Sequence, residues 1–255
     1  MDKIMNEKAR TPKQPKQKTS FKTKSERAKA RLLSAYYGNP IRDMKLIAIT
    51  GTTGKSIVAH FVHEILKASG EHAAILASES PIKTSVLHKF LSDAWKAGAN
   101  YVVVTAPADS LKSNVFYGLP VEIAALTDFV PSSLTSPSAS DFLADTSTLF
   151  HMSPNYVILN ENDAYYSDFS TFSGKIKTIT YGTTLSSTVH IDNKHLYKKG
   201  TEVNLSIGSS PFTVASFLVG EPIVSYIACA AAVATALNFT PETIAEGLAN
   251  YNPTK

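Results

Sequence analysis

The feature that most constrains the fold is a series of short apolar runs separated by segments with helical periodicity. Most of these runs do not alternate apolar and polar residues, so both faces of each strand are expected to be buried. The segments at about 56–68 and 83–97 carry apolar residues at helical spacing. This pattern predicts a three-layer α/β domain with a mostly parallel sheet of P-loop type. The runs are KLIAIT, HAAILAS, YVVVTA, VEIAALT, YVILN and KIKTITYG.

After Gly182 the pattern changes to an alternation of period two. Such alternation, interrupted by turn residues, predicts a small added antiparallel β-sheet. The turn signals are Asp192-Asn193, Lys199-Gly200 and Gly208-Ser209-Ser210.

Two further helices are predicted near the end of the sequence, at about 223–237 and from Pro241 onward behind an N-cap Thr240. The first contains Cys229, the single cysteine, which excludes an internal disulfide and is typical of a reducing compartment. We interpret Cys229 as a small core residue. The longest apolar run is too short to span a bilayer and no export signal opens the chain, so a cytoplasmic location is expected.

The positive charge is concentrated in residues 1–31. This segment has eight Lys and three Arg against three acidic residues, which gives +8, whereas the whole chain has +4 and residues 32–255 therefore −4. With almost no large apolar residues, the segment is expected to be a disordered basic tail. It would suit an anionic surface such as lipid or nucleic acid, and an inert solubilising extension is an equally good interpretation.

The stretch LIAITGTTGKSIVAHF has the order strand, glycine-bracketed turn and helix that a phosphate-binding loop requires. Its two glycines would let the backbone approach a phosphate, the lysine would reach the β- and γ-phosphates of ATP, and the Ser56 hydroxyl would ligate Mg²⁺. The general pattern has another glycine where Ile49 stands, so an ordinary βα turn is the alternative. The predicted nucleotide-binding residues are Gly51, Thr52, Thr53, Gly54, Lys55 and Ser56.

His60 and His63 lie on the helix that follows this loop. No cysteine or paired carboxylate stands at ligand spacing from them, so we interpret them as solvated histidines rather than metal ligands.

The stretch YYGNPIRDMKLIAITGTTGKS resembles the entry to the central domain of the muramyl ligase family, most of all the UDP-N-acetylmuramoyl-tripeptide synthetases. The family's loop also lacks the early glycine, so Ile49 ceases to be an objection. The resemblance covers roughly residues 32–254 and is weaker in its later parts. Those parts are ALTDFVPSSL, VILNENDA and FTPETIAEGLANYNP.

The resemblance implies an Mg-ATP-dependent ligase of cell-wall precursors, in which a carboxylate is activated as an acyl phosphate and attacked by an amine. The family has a UDP-sugar domain, a central ATPase domain and a C-terminal domain. Only the central domain, at residues 32–255, is recognised here, and the other two are expected to be absent. A UDP-MurNAc-peptide, or a partner chain that supplies the missing domains, is therefore a possible partner.

This sequence departs from the family at several functional positions. Thr105 stands at the position of a magnesium-binding Glu, and Asp109 at that of the following His. Thr146 stands at the position of a carbamylated lysine, and Ser132 and Ser133 at that of an Asp-His pair. Losing such groups commonly costs several kcal/mol of transition-state stabilisation. Two asparagines that contact adenine in the family correspond to Ile223 and Tyr226.

Three hypotheses follow. We favour an ATP-binding ligase-like domain with impaired ligation, a pseudoenzyme. The second hypothesis is that the chain is part of an active amino-acid ligase completed by missing domains or a partner. Such a ligase would need a carboxylate near the γ-phosphate, and the candidates are Asp109, Asp128 and Asp163. The third is a non-catalytic structural relic whose loop is retained for packing.

Overall fold

The computed structural model describes residues 21–130, 139–152 and 155–253. Helices and strands alternate through most of this part of the chain, as the apolar pattern predicts. The strands are β1 (Lys45–Thr50), β2 (Ala73–Leu76), β3 (Tyr101–Thr105), β4 (Ile123–Leu126), β5 (Tyr156–Asn160), β6 (Lys177–Gly182), β7 (Val189–Tyr197), β8 (Gly200–Ile207) and β9 (Ser210–Ser216). The helices are α1 (Phe21–Tyr36), α2 (Lys55–Ala68), α3 (Thr84–Lys96), α4 (Ala108–Lys112), α5 (Ala139–His151), α6 (Tyr166–Ser173), α7 (Glu221–Ala236) and α8 (Pro241–Asn250).

The described strands form one sheet in the order β2-β3-β1-β4-β5-β6-β7-β8-β9. From β2 to β7 every neighbouring pair is parallel. The chain leaves β1 toward β2 and β3 on one side, then crosses to β4 on the other. In open α/β sheets, ligands bind outside the carboxyl ends of the strands at such a reversal. The fold therefore places the loop after β1 at the usual ligand position.

Two hydrophobic cores cover the two faces of the sheet, because successive strand residues point to opposite sides. Ile47 and Ile49 of β1 pack in the core with α2, α7 and α8. Leu46 and Ala48 of the same strand pack in the other core, with α3, α4, α5 and α6. This arrangement confirms the predicted three-layer, mostly parallel α/β fold and explains why the strands are apolar without alternation.

The antiparallel part is not a separate sheet. β7 pairs in parallel with β6 at Tyr181↔Val189 and Gly182↔His190, and β8 and β9 then continue the same sheet as an antiparallel meander. The predicted small antiparallel part is thus confirmed, but the turn predicted at Asp192-Asn193 is wrong, since these residues lie within β7 at a register shift. A bulge accommodates the turn-forming pair without ending the strand.

The basic segment is partly ordered, which corrects the expected disorder for residues 21–31. These residues begin α1, where Ala30 is buried. Arg27 donates from Nε to Asn114 Oδ1 at 3.1 Å, and its guanidinium lies 4.8 Å from the centre of the Tyr117 ring. The guanidinium groups of Arg27 and Arg31 thus lie against the Tyr117 ring, a packing that composition alone does not reveal. Residues 1–20 lie outside the described residues, so disorder and anionic contacts there stay predictions.

The two predicted helices near the end of the sequence are confirmed as α7 and α8. Thr240 caps α8 by accepting a hydrogen bond from the Thr243 amide at 3.4 Å. Cys229 is fully buried in α7, and burial raises the pKa of its thiol to about 12. Its interpretation as a core residue is confirmed. Within the described residues, no helix combines the length and apolarity that crossing a bilayer requires.

Candidate nucleotide-binding site

The loop GTTGKS connects the carboxyl end of β1 to the first turn of α2. β1 ends at Thr50 and α2 begins at Lys55, so only four residues form the turn. Gly51 has φ +141° and Gly54 has φ +75°, backbone conformations that residues other than glycine rarely adopt. The helix therefore directs its free amides and the positive end of its dipole into the turn, which is the geometry of an anion site.

The two glycines are also required by close neighbours inside the protein. A Cβ on Gly51 would lie 2.0 Å from Thr127 Oγ1, and one on Gly54 would lie 2.2 Å from Tyr226 Cε1. The absent Cβ atoms thus make room for these two side chains, a reason different from the close approach of a phosphate that the sequence suggested.

Asp128, which follows β4, closes the loop from the other side. Its Oδ1 accepts hydrogen bonds from the amides of Thr52 at 3.1 Å and Thr53 at 2.8 Å, and from Thr52 Oγ1 at 2.7 Å. Thr53 Oγ1 donates to its other oxygen. The sequence nominated Asp128 only as a carboxylate near the γ-phosphate. In the structure the carboxylate holds the loop itself.

Lys55 and Ser56 face a second carboxylate, Glu79. Lys55 is almost fully buried, and its Nζ donates to Thr52 O at 3.2 Å and pairs with Glu79 Oε2 at 3.0 Å. The amide and the hydroxyl of Ser56 donate to Glu79 Oε1 at 3.2 and 2.5 Å. Burial opposes ionisation of Glu79, but the Ser56 and Lys55 contacts outweigh burial and lower its pKa. Loop, lysine and hydroxyl are therefore brought together as predicted, with an acidic partner that was missed.

Glu79 is held near the loop through Thr105, at the end of β3. The Ser78 amide donates to Thr105 Oγ1 at 2.8 Å, and Thr105 Oγ1 in turn donates to Ser78 O at 2.8 Å. The signal for Glu79 was present in the sequence, because it lies three residues after the end of β2, and the carboxyl ends of parallel strands meet at one edge of the sheet.

The other carboxylates nominated from the sequence lie differently. Asp163 accepts from the amides of Phe129 at 2.7 Å and Tyr165 at 2.8 Å, so it orders the segment after Asp128. Burial raises the pKa of Asp163, and these hydrogen bonds offset the effect only in part. Asp109 is exposed on α4, and no hydrogen bond joins it to the loop within the described residues.

The remaining positions taken from the family pattern are apolar or neutral. Thr146 is buried in α5, with no hydrogen-bond partner for its hydroxyl among the described residues. Ile223 and Tyr226 are buried at the start of α7. Ser132 and Ser133 lie outside the described residues.

His60 and His63 are less solvated than expected. The ring of His60 stacks on Tyr251, with centroids 5.2 Å apart, and a ring nitrogen of His63 lies 3.2 Å from Ala73 O. Across the described ranges no group of three or more His, Cys, Asp or Glu residues is arranged to hold a metal ion.

The donor set at the loop suits a nucleotide phosphate with Mg²⁺. Lys55 is a buried ammonium, a group that needs an anionic partner. Glu79 is that partner in this structure, and a phosphate would supply the same negative charge. The Ser56 hydroxyl and the Glu79 carboxylate are oxygen donors of the kind that Mg²⁺ prefers. These groups converge at the N-terminus of α2, where a phosphate is also favoured by the helix dipole.

Comparison with known proteins gives one consistent result. The family model for the Mur ligase middle domain matches residues 49–234. UDP-N-acetylmuramoyl-L-alanyl-D-glutamate–2,6-diaminopimelate ligase of Bacillus licheniformis is 26% identical, over 88% of this chain and 50% of that protein. The chain thus spans about half the length of the curated relatives it matches.

Solved structures show the same fold. A structure of a UDP-N-acetylmuramoyl-L-alanyl-D-glutamate–2,6-diaminopimelate ligase superposes with a TM-score of 0.78 at 19% identity, over 88% of this chain and 49% of that one. MurF ligase of Thermotoga maritima in complex with ADP superposes with a TM-score of 0.67 at 15% identity, over 90% of this chain and 52% of that one.

Proposed function

The chain belongs to the Mur ligase family by its middle domain, and from this premise we propose that it binds ATP with Mg²⁺ at the loop Gly51–Ser56. The observation that carries the proposal is the buried ammonium of Lys55 beside the Ser56 hydroxyl, at the N-terminus of the helix that follows β1. The ADP complex of a structural neighbour with the same fold supports a nucleotide as the ligand.

Each loop residue has a distinct part in this proposal. Gly51 and Gly54 give the turn its shape, Lys55 provides a positive charge for the β- and γ-phosphates, and Ser56 is the hydroxyl ligand for Mg²⁺. Bound Mg²⁺ would neutralise phosphate charge and polarise the phosphoryl oxygens. Thr52 and Thr53 contribute through Asp128, which holds their amides and hydroxyls.

We further propose that ligation is impaired in this chain. Thr105 has no charge to offer a metal, and its hydroxyl bonds to the backbone of Ser78. Thr146 is a buried hydroxyl without an ammonium or carbamate. A phosphate-binding loop with few of the family's other charged groups is consistent with nucleotide binding without efficient acyl transfer.

The alternative is an active ligase of which this chain is one part. Its support is the relatives' length, about twice that of the chain. In that case the acid substrate would be a UDP-N-acetylmuramoyl-peptide, as the relatives' names state for those proteins, and further segments or a partner chain would complete the site.

The test of nucleotide binding is calorimetric titration with ATP and ADP, with and without Mg²⁺. Lys55→Ala is expected to weaken Mg-ATP binding roughly ten- to a hundredfold, the effect of losing one charge-assisted contact. Lys67→Ala is the matched control, because Lys67 is exposed at the other end of α2 and pairs with Glu64. Equal affinity of wild type and Lys55→Ala would contradict the proposal.

Ligation is tested separately, with a UDP-N-acetylmuramoyl-peptide, diaminopimelate, ATP and Mg²⁺ as substrates. Impaired ligation predicts ADP release no greater than that of Lys55→Ala and no amide product by mass spectrometry. An amide product formed by the wild-type chain alone would show that this part of the proposal is wrong.

A further inference from the structure

Glu79 contacts the part of the loop formed by Lys55 and Ser56. One carboxylate oxygen accepts from both the amide and the hydroxyl of Ser56, and the other pairs with the ammonium of Lys55. Two of these groups, the Lys55 ammonium and the Ser56 hydroxyl, are the ones assigned above to phosphate and Mg²⁺. We propose that Glu79 makes phosphate binding at this loop depend on a divalent cation. The inference rests on the proposed function and specifies how that site is controlled.

Without a cation, the carboxylate competes with the nucleotide. A metal-free triphosphate brings several negative charges to the place where Glu79 is already ionised and bonded to Ser56 and Lys55. Like charges a few ångströms apart repel, and the repulsion is strongest where the surroundings are partly buried. Glu79 must therefore be displaced, and Lys55 is not available to the phosphate until this happens.

With a cation, the same carboxylate favours binding. Mg²⁺ prefers hard oxygen ligands, and Glu79 together with Ser56 presents a carboxylate and a hydroxyl beside the phosphate position. A cation between two anionic groups turns their repulsion into attraction. Within the described residues, Glu79 is the only acidic residue bonded to both Lys55 and Ser56, so this role falls to its carboxylate.

The backbone around Glu79 is fixed, but its side chain is free to change position between the cation-free and the cation-bound site. Thr105 ties Ser78 to the end of β3, and Ser78 Oγ donates to Ser80 O at 2.9 Å, so the backbone on both sides of Glu79 is held. The Glu79 side chain is 59% exposed, whereas that of Lys55 is 5% exposed. A fixed backbone with an exposed side chain permits the carboxylate to turn away from Ser56 without unfolding the loop.

The experiment measures the dissociation constant of ATP in EDTA and in excess Mg²⁺, and compares their ratio between variants. In Glu79→Gln, metal-free binding is expected to tighten about fivefold to tenfold, because one repelling charge is gone. Mg²⁺-dependent tightening is expected to fall by a similar factor, since the amide is a poorer magnesium ligand. Glu64→Gln removes the same charge from the later part of α2 and should leave the ratio unchanged.

Thr105 tests the positioning of Glu79 without altering a charge. Thr105→Val removes the bonds to Ser78 and is expected to lower the Mg²⁺ ratio, while Thr105→Ser keeps the hydroxyl and should restore it. Thermal unfolding of each variant separates this effect from loss of the fold.

Two different results would contradict the role of Glu79 and the binding of ATP. A Glu79→Gln variant with the wild-type ratio, or with weaker metal-free binding, would overturn the inference and leave ATP binding intact. Failure of the folded wild-type chain to bind ATP both in EDTA and in excess Mg²⁺ would overturn the proposed function and this inference with it.

Discussion

The hydroxyl of Tyr226 lies 2.9 Å from Thr53 Oγ1, and the ring of the same tyrosine covers Gly54. A helix near the end of the sequence is thereby joined to the loop Gly51–Ser56, more than 170 residues earlier. Burial raises the pKa of Tyr226, and the bond with Thr53 offsets this in part. The conformation of the loop consequently depends on α7 as well as on its own glycines.

Gly54→Ala is expected to destabilise the fold by about 2 to 3 kcal/mol, because a Cβ would meet the Tyr226 ring and the residue has a left-handed φ. Urea unfolding measures this. The matched variant Tyr226→Phe loses only the hydroxyl bond and should cost about 1 kcal/mol. A double variant Gly54→Ala with Tyr226→Ala should be less destabilised than the sum of the single changes. Simple additivity would contradict a steric conflict between the two residues.

Asp128→Ala is expected to loosen the loop. The carboxylate accepts hydrogen bonds from the amides and hydroxyls of Thr52 and Thr53, and hydrogen bonds to a charged group typically contribute about 1.5 to 3 kcal/mol. Faster amide hydrogen exchange at Thr53 should accompany the loss of stability, whereas the Thr52 amide also donates to the backbone oxygen of Asp128 at 3.1 Å and should change less. Unchanged exchange of the Thr53 amide in the variant would show that the Asp128 carboxylate does not hold it.

Gly247→Ala distinguishes helix propensity from packing. In an exposed helix, Gly to Ala stabilises by about 1 kcal/mol. Here a Cβ on Gly247 of α8 would lie 2.4 Å from Ile65 Cα of α2, a contact with backbone that cannot rotate away. We therefore expect a loss of about 2 kcal/mol or more in urea unfolding. A stabilised variant would mean that α2 and α8 can separate at little cost.

The burial of His88 predicts that the folded protein loses stability in acid. It is fully buried in α3, neither ring nitrogen has a hydrogen-bond partner among the described residues, and burial lowers its pKa. Because the folded-state pKa lies below the unfolded value of about 6.5, the neutral form is favoured by folding. Its contribution is fully present above about pH 6.5 and is lost as the pH falls, by at most about 1.4 kcal/mol per pH unit.

The check for His88 is the difference in unfolding free energy between wild type and His88→Leu across pH 5 to 8. This difference should change with pH while contributions from other groups cancel. Asp145 acts in the opposite direction, since burial raises its pKa to about 6 and its protonated form is favoured by folding. A pH-independent difference would show that His88 does not titrate in this range.

The alternation of strands and helices was readable from the sequence because it arises from local periodicity. The six apolar runs became β1 to β6, and Thr240 became the cap of α8. The loop from Gly51 to Ser56 was equally readable, since its turn and helix start are set by residues adjacent in the chain. The helix α1 was missed, because its basic residues are stabilised by Asn114 and Tyr117, far along the sequence.

The partners of the loop were decided only by the tertiary structure. Asp128 lies 76 positions from Thr52, and Glu79 lies 23 positions from Ser56, yet both carboxylates bond to the loop. They meet it because β2, β3, β1 and β4 are neighbours in the sheet and end at the same edge. Periodicity shows that a residue is in a strand or helix, but not which strand ends lie side by side. The sequence by itself thus determined the shape of the loop Gly51–Ser56, and the order of the strands determined which acidic side chains face it.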